Sequence, residues 1–344
     1  MKDCFVIAEA GVNHNGSADL AIELVDIAAD SGADAIKFQT FSAEKLVRLG
    51  AEKAEYQKRE TGDGDQYSML KKLEMSPELH LALIERCELH KIEFMSTAFD
   101  EEALDFLIEH GMKRIKVPSG ELTNHPFLRY IAAKNLPIIM STGMASLEEI
   151  VEAKSTIEEE RERQGYTAPI EECLTILHCT SNYPADAKDV NLNAMKTIAT
   201  VTGMDIGYSD HTLGVAVSTA AVALGAVVIE KHFTKSRDLP GPDHSASLEP
   251  MELKELINQI RTVETAMGSF TKQPTESELS VRSLVRRSVT TSGAVSKGSV
   301  ITENDLTLMR PGSGIQPKEL GNVIGRIAAD DLAAGKTLNW SDVK

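Results

Sequence analysis

Cysteine is scarce in this chain of 344 residues, and the four present (Cys4, Cys87, Cys173, Cys179) show no CxxC spacing. That excludes a disulfide framework and reads as reduced thiols in a cytoplasmic protein. Long apolar runs are missing: no uncharged stretch approaches the roughly 20 residues of a membrane-spanning helix. The opening MKDCFVIAEAG meets a glutamate after a few apolar residues, so it does not read as a signal peptide. Positive charge is also short. With 36 Lys+Arg against 52 Asp+Glu and a net charge of −16, the chain lacks the basic face that nucleic acid or an anionic membrane needs. A small anion held by a few local lysines is still possible. No G-x-G-x-x-G follows the first strand candidate, where a dinucleotide fold would place it.

Short β-branched runs are abundant: CFVIAEA, DAIKFQ, IEFMST, RIKVPS, PIIMST, LTILHCT, DIGYSD and AVVIEKHF. Most are followed by amphipathic stretches such as ADLAIELVDIAADSG, with apolar residues three and four apart. Strand–helix–strand units pair in parallel through right-handed crossovers. Eight of them predict an α/β fold, a (β/α)8 TIM barrel, over residues 1–266. Residues 267–284 are polar with little period and read as a linker. Over residues 285–344, short strand-like pieces broken by Gly and Pro predict a second, compact domain.

In such a barrel the C-terminal strand ends converge on one mouth. In chain order these ends carry Glu9; Lys37 and Gln39; Ser96 and Thr97; Lys116 with Ser119 and Glu121; and Ser141 with Thr142. Then follow His178 with Thr180 and Ser181, Ser209-Asp210-His211, and Glu230-Lys231-His232. Strands that only packed a core would not all end in polar groups, so the rim predicts an enzyme. Lys37 and Lys116, with several hydroxyls, suit the phosphate or carboxylate of a small anion; ion pairing with Glu9 or Glu121 is the alternative. His211 and His232, flanked by Asp210 and Glu230, suit a divalent metal with open positions, Mn2+ or Mg2+ rather than structural zinc. A hydrogen-bonded structural role is the alternative for each.

Ten segments in order resemble the sialic acid synthase family over residues 7–315: IAEAGVNHNG, KFQTF, STAFD, KVPSGEL, MSTGMA, LHCTSNYP, GYSDHT, EKHFT, GPDH and RPGSGI. The resemblance implies a barrel followed by a small antifreeze-protein-like (SAF) domain. It implies a reaction joining phosphoenolpyruvate to an N-acetylated hexose aldehyde with water, releasing phosphate. His211 and His232 are then the metal ligands, and Lys37, Thr97, Lys116, Ser119, Ser141 and Ser209 surround phosphoenolpyruvate. Glu9, Gln39, Glu121, Tyr183 and Asp243 fall on the sugar side. Ser181 stands where some members have an asparagine. Glu9, Lys37, Lys116, Glu121 and Glu230 are the expected catalytic groups, with Glu121 or Glu230 taking the proton of water. Arg310 is implied to reach from the small domain into the barrel of the other subunit in a domain-swapped homodimer.

The sugar implied first is N-acetylmannosamine, giving N-acetylneuraminate. The alternative is 2,4-diacetamido-2,4,6-trideoxymannose, giving N,N'-diacetyllegionaminate. Two rival readings are a Schiff-base aldolase built on Lys37 or Lys116, and an ice- or sugar-binding module carried on a degenerate barrel.

Overall fold

The structure, a computed structural model, describes residues 3–344 and divides after Gly268 into two compact units. In the first unit, eight strands form one sheet: β1 (Phe5–Gly11), β2 (Ala35–Thr40), β3 (Glu93–Ala98), β4 (Ile115–Val117), β5 (Ile138–Ser141), β6 (Leu174–Cys179), β7 (Asp205–Asp210) and β8 (Val228–His232). The order is β3-β2-β1-β8-β7-β6-β5-β4 and every ladder is parallel. β3 also packs against β4, which closes the sheet into a barrel. Helices connect successive strands, and the local sequence sets where they begin. Ser17 caps helix Ala18–Ser31 by accepting from Leu20 N. Ser76 caps Pro77–His90, with proline in the first turn. Ser146 and Glu149 form a capping box ahead of Leu147–Arg163.

Alternation along the strands sorts the side chains into two layers. One parity, including Val6, Ala8, Ile36, Phe38, Phe94, Met140, Ile176 and Ile229, joins the helices in the main core. The other points inward, where Ile7, Ala35, Met95, Ile139, Leu177 and Val228 fill the barrel. Two residues further along each of those strands come Glu9, Lys37, Thr97, Ser141, Cys179 and Glu230. On β7 the inward position at the apolar level is Gly207, where a Cβ would strike Leu177 and Val228. Ser209 lies above it. The site is therefore a polar ring standing on an apolar plug.

The connection from β2 to helix Pro77–His90 is long and holds three short helices, Ala43–Leu46, Glu55–Thr61 and Gln66–Lys71. Around it Val12, Phe41 and Leu73 form a small separate apolar cluster with Leu46, Leu70 and Phe99.

The second unit departs from the expected linker over 267–284. Helix Glu276–Val285 occupies the second half of that segment, capped by Thr275 with Glu278. None of its residues is buried, and its apolar side chains, Leu279, Val281, Leu284 and Val285, are all exposed. The T-x-x-E capping box was the signal in the sequence. Beyond it, β9 (Ser288–Thr291) pairs antiparallel with β10 (Leu306–Met309). Isolated bridges such as Val295–Leu332 and Ala328–Val343 fold the chain around Val289, Ile301, Leu332 and Leu338.

Candidate active site

A cavity of about 580 Å³ opens at the C-terminal strand ends. Its floor is ionic. Lys37 Nζ lies 2.5 Å from Glu9 Oε2, 3.7 Å from Glu230 Oε2, and donates to Thr97 Oγ1 at 2.9 Å. Lys116 Nζ is 3.3 Å from Glu230 Oε1, which also accepts from Ser209 Oγ at 2.9 Å. All four charged groups are buried. Burial opposes ionisation of Glu230, but Lys116 and Lys37 outweigh it and hold its pKa down. At Glu9 burial wins over Lys37 and the pKa is raised. Burial likewise lowers Lys116, whereas at Lys37 the two carboxylates overcome it and raise the pKa. Lys37 thus pairs with Glu9, as the ion-pair alternative expected, whereas Lys116 pairs with Glu230 rather than with Glu9 or Glu121. Those partners are themselves in the cavity, where an anionic substrate would exchange with them.

Hydroxyls surround this floor. Ser141 Oγ is buried with no hydrogen-bond partner. Ser119 Oγ accepts from Gly143 N at 2.9 Å, and a Cβ at position 143 would strike the hydroxyls of Ser119 and Ser181. Only glycine leaves both free to face the cavity.

The two imidazoles sit together, ring centroids 5.4 Å apart. His211 Nδ1 donates to the Thr180 carbonyl at 2.8 Å, which fixes the ring and leaves Nε2 as its free nitrogen. His232 Nδ1 is buried without a hydrogen-bond partner. Burial, helped by His211, pushes the His232 pKa well below its usual value. At His211 burial acts the same way, but the nearby Cys179 sulfur and the Thr180 carbonyl outweigh it and raise the pKa. Among the described residues no three His, Cys, Asp or Glu side chains converge as a closed metal-ligand set. A divalent cation here would have two imidazole nitrogens and open positions, and the orphaned His232 nitrogen suits it. Tyr183 packs on both rings, its centroid 4.1 Å from His211 and 5.7 Å from His232.

The remaining expected residues fall at the cavity edge. Gln39 Nε2 reaches Glu9 Oε1 at 3.4 Å. Glu121, in the turn Ser119–Glu121, accepts from Asn124 Nδ2 at 2.7 Å. Burial pushes Asp243 up to about 6. Arg310 belongs to the second unit, just after β10, and is exposed.

Ser96, His178, Asp210 and Lys231, all expected at the rim, point away from it because strand alternation sends them to the helix side. The Ser96 hydroxyl meets that of Thr40 at 2.7 Å. His178 Nε2 donates to Val190 O at 2.6 Å and its ring stacks on Tyr208. Asp210 accepts from Ser218 Oγ at 2.6 Å and pairs with Lys231 at 2.8 Å, both groups wholly buried. Asp210 therefore does not flank the imidazoles. Conversely Cys179, neighbour of His178, faces the cavity, as parity would have foretold. Tyr56, Gln57, Met69 and Leu70 also line it, and no strand parity exists in that segment to announce them.

A closed parallel barrel with a charged, buried cavity at its strand ends defines a small-molecule enzyme. The NeuB family model matches residues 24–272 and the SAF domain model residues 286–344. The chain is 52% identical over 342 residues (99% of this chain, 95% of the relative) to N,N'-diacetyllegionaminic acid synthase of Legionella pneumophila. It is 47% identical over 330 residues (95% and 96%) to the protein of that name from Campylobacter jejuni. A solved sialic acid synthetase from Leptospira borgpetersenii superposes with a TM-score of 0.69 at 35% identity, covering 81% of this chain and 90% of that one. The chain belongs to the NeuB family, the sialic acid synthases.

Proposed function

We propose that this enzyme makes N,N'-diacetyllegionaminate from phosphoenolpyruvate, 2,4-diacetamido-2,4,6-trideoxymannose and water, releasing phosphate. The observation that carries the reading is the meeting of two buried lysines and two imidazoles in one cavity, in a chain 52% identical to a legionaminic acid synthase. That identity ranks this sugar above N-acetylmannosamine, which the sequence alone put first.

Lys37 and Lys116 exchange their carboxylate partners for the phosphate and carboxylate of phosphoenolpyruvate, in a pocket dry enough for charge to act strongly. Ser119, Ser141 and Ser209 donate to the same anion, and Thr97 keeps Lys37 in place. Gln39, Glu121, Tyr183 and Asp243 hold the sugar. A divalent cation, Mn2+ or Mg2+, held by His211 and His232 supplies Lewis-acid polarisation of the aldehyde oxygen. The C=C π electrons of phosphoenolpyruvate form the new C–C bond between its methylene carbon and the aldehyde carbon. The C=O π pair passes to the aldehyde oxygen, which takes up a proton to become a hydroxyl. Water adds to the central carbon, whose C–O bond to phosphate then breaks. Glu230 takes the proton of that water, since its Oε2 has no hydrogen-bond donor and only Lys37 at 3.7 Å. The reaction takes place in the cytoplasm, in a domain-swapped homodimer whose Arg310 acts in the barrel of the other subunit.

The test is turnover of the purified protein with each sugar, read as phosphate release and product mass. A higher kcat/KM for N-acetylmannosamine overturns the sugar, and a borohydride-trapped lysine adduct overturns the mechanism. For the dimer, inactive Arg310→Ala and His232→Ala proteins are mixed and allowed to exchange subunits. Heterodimers should regain part of the activity, because one mouth then has a sound barrel and a sound arginine. Heterodimers no more active than their parents would return Arg310 to its own subunit.

A further inference from the structure

Above the ionic floor, the cavity has an apolar side that the chemistry just described does not use. Val12, Leu46, Met69, Leu70, Leu73 and Phe99 line it, and all but Met69 belong to the satellite apolar cluster. Leu46 and Leu70 are only half-buried, so this surface is presented to the cavity rather than closed off in a core.

The wall has a definite place. Val12 follows β1, Phe99 follows β3, and the others come from the connection after β2. The imidazoles stand at the ends of β7 and β8, and the sheet order β3-β2-β1-β8-β7 puts wall and imidazoles on neighbouring arcs of the mouth. A sugar with its aldehyde at His211 and His232 would have this wall within the same cavity, on the side of β1–β3.

The connection that builds the wall is also held firmly. Lys53 Nζ donates to Thr61 Oγ1 at 2.9 Å and to Gly62 O at 3.0 Å. Asp65 caps helix Gln66–Lys71 by accepting from Ser68 N. Tyr56 stacks on Tyr183 with centroids 5.1 Å apart, which ties the connection to the ring that packs on both imidazoles. Polar groups on this side are few. Gln57 spends its Oε1 on Ala54 N at 3.0 Å, and the Tyr56 hydroxyl and Gln66 are the others that the connection brings to the cavity.

A hydroxyl pressed against such a wall loses water and gains no partner, whereas a methyl group gains by leaving water. N-acetylmannosamine carries hydroxyls at C4 and C6. The trideoxy sugar carries an acetamido group at C4 and a methyl at C6. We propose that this wall is the specificity surface of the enzyme: it seats the methyl-bearing far end of the diacetamido sugar and selects against hydroxyls there. The inference rests on the synthase reading above and adds which residues make the choice of sugar.

The test uses full-length Leu70→Gln and Leu46→Gln proteins, with kcat/KM measured for both sugars at saturating phosphoenolpyruvate. The value for the diacetamido sugar should fall about 10-fold or more while that for N-acetylmannosamine holds or rises, since one lost apolar contact in a pocket has that order of effect. The KM for phosphoenolpyruvate should not move, which shows that the floor is intact. Leu70→Met, which keeps volume and polarity, should keep the original preference. An equal fall for both sugars, or a preference unchanged in both glutamine variants, overturns the inference while leaving the synthase reading standing. If the unaltered enzyme releases no phosphate with either sugar, the synthase reading fails and the inference fails with it.

Discussion

The unit up to Gly268 carries 26 Lys and Arg against 44 Asp and Glu, and the second unit 10 against 8. It is nevertheless the acidic unit that hides charge. Among the described residues every buried ionisable side chain lies in the barrel, including Glu9, Lys37, Lys116, Asp210, Glu230 and Lys231. In the small unit the buried polar groups are the hydroxyls of Ser288, Thr290 and Thr291, and Arg282, Arg286, Arg287 and Arg310 are exposed. Burying a charge is costly unless it is paired. A unit that does so repeatedly at one end of its strands holds those groups for chemistry, and the small unit shows no such expense. The pair Asp210–Lys231 is the instructive exception, being equally buried but facing the helices.

The largest effect separating the units should come from the imidazoles. His211→Ala or His232→Ala should lower kcat/KM on the order of 10³-fold or more, with the fold kept, as for other groups that stabilise developing charge. Chelation with EDTA should match that loss, and Mn2+ or Mg2+ should reverse it. Full turnover by metal-free protein would remove the imidazole pair from the mechanism.

Next in size is a stability effect confined to the barrel. Asp210→Ala strands Lys231 in the core and should cost about 3–5 kcal/mol. Replacing both residues by apolar ones of similar volume should cost much less. Denaturant unfolding decides it, and equal losses for the single and double variants would mean that packing, not charge, sets the penalty.

Acid should separate the units more gently. All nine histidines lie in the barrel unit. Burial pushes His14 and His244 down to about 4 from their ordinary 6.5. Between those values the unfolded chain binds protons that the folded barrel does not. Barrel stability therefore declines as pH falls below about 6.5, by up to about 3 kcal/mol per histidine once pH reaches about 4. Calorimetry at pH 7 and pH 5 should show the barrel transition moving down while that of the small unit holds. Equal movement of both would show that these histidines are not the cause.

By itself the sequence determined the order of the eight barrel strands, their parallel pairing and the polar groups at each strand end, because periodicity and caps are local properties of the chain. It also supplied His211, His232, Lys37 and Lys116, whose side chains stand on inward strand positions. Parity separates adjacent polar residues on a strand, and closure of the sheet fixed which parity faces the mouth: His178 and Lys231 turned outward, Cys179 and Glu230 inward. The apolar wall at Met69 and Leu70, and the contact of Tyr56 with Tyr183, join residues far apart in the chain. The short helices that carry the wall have no strand alternation to announce a facing direction, so only the tertiary structure could place them over the site.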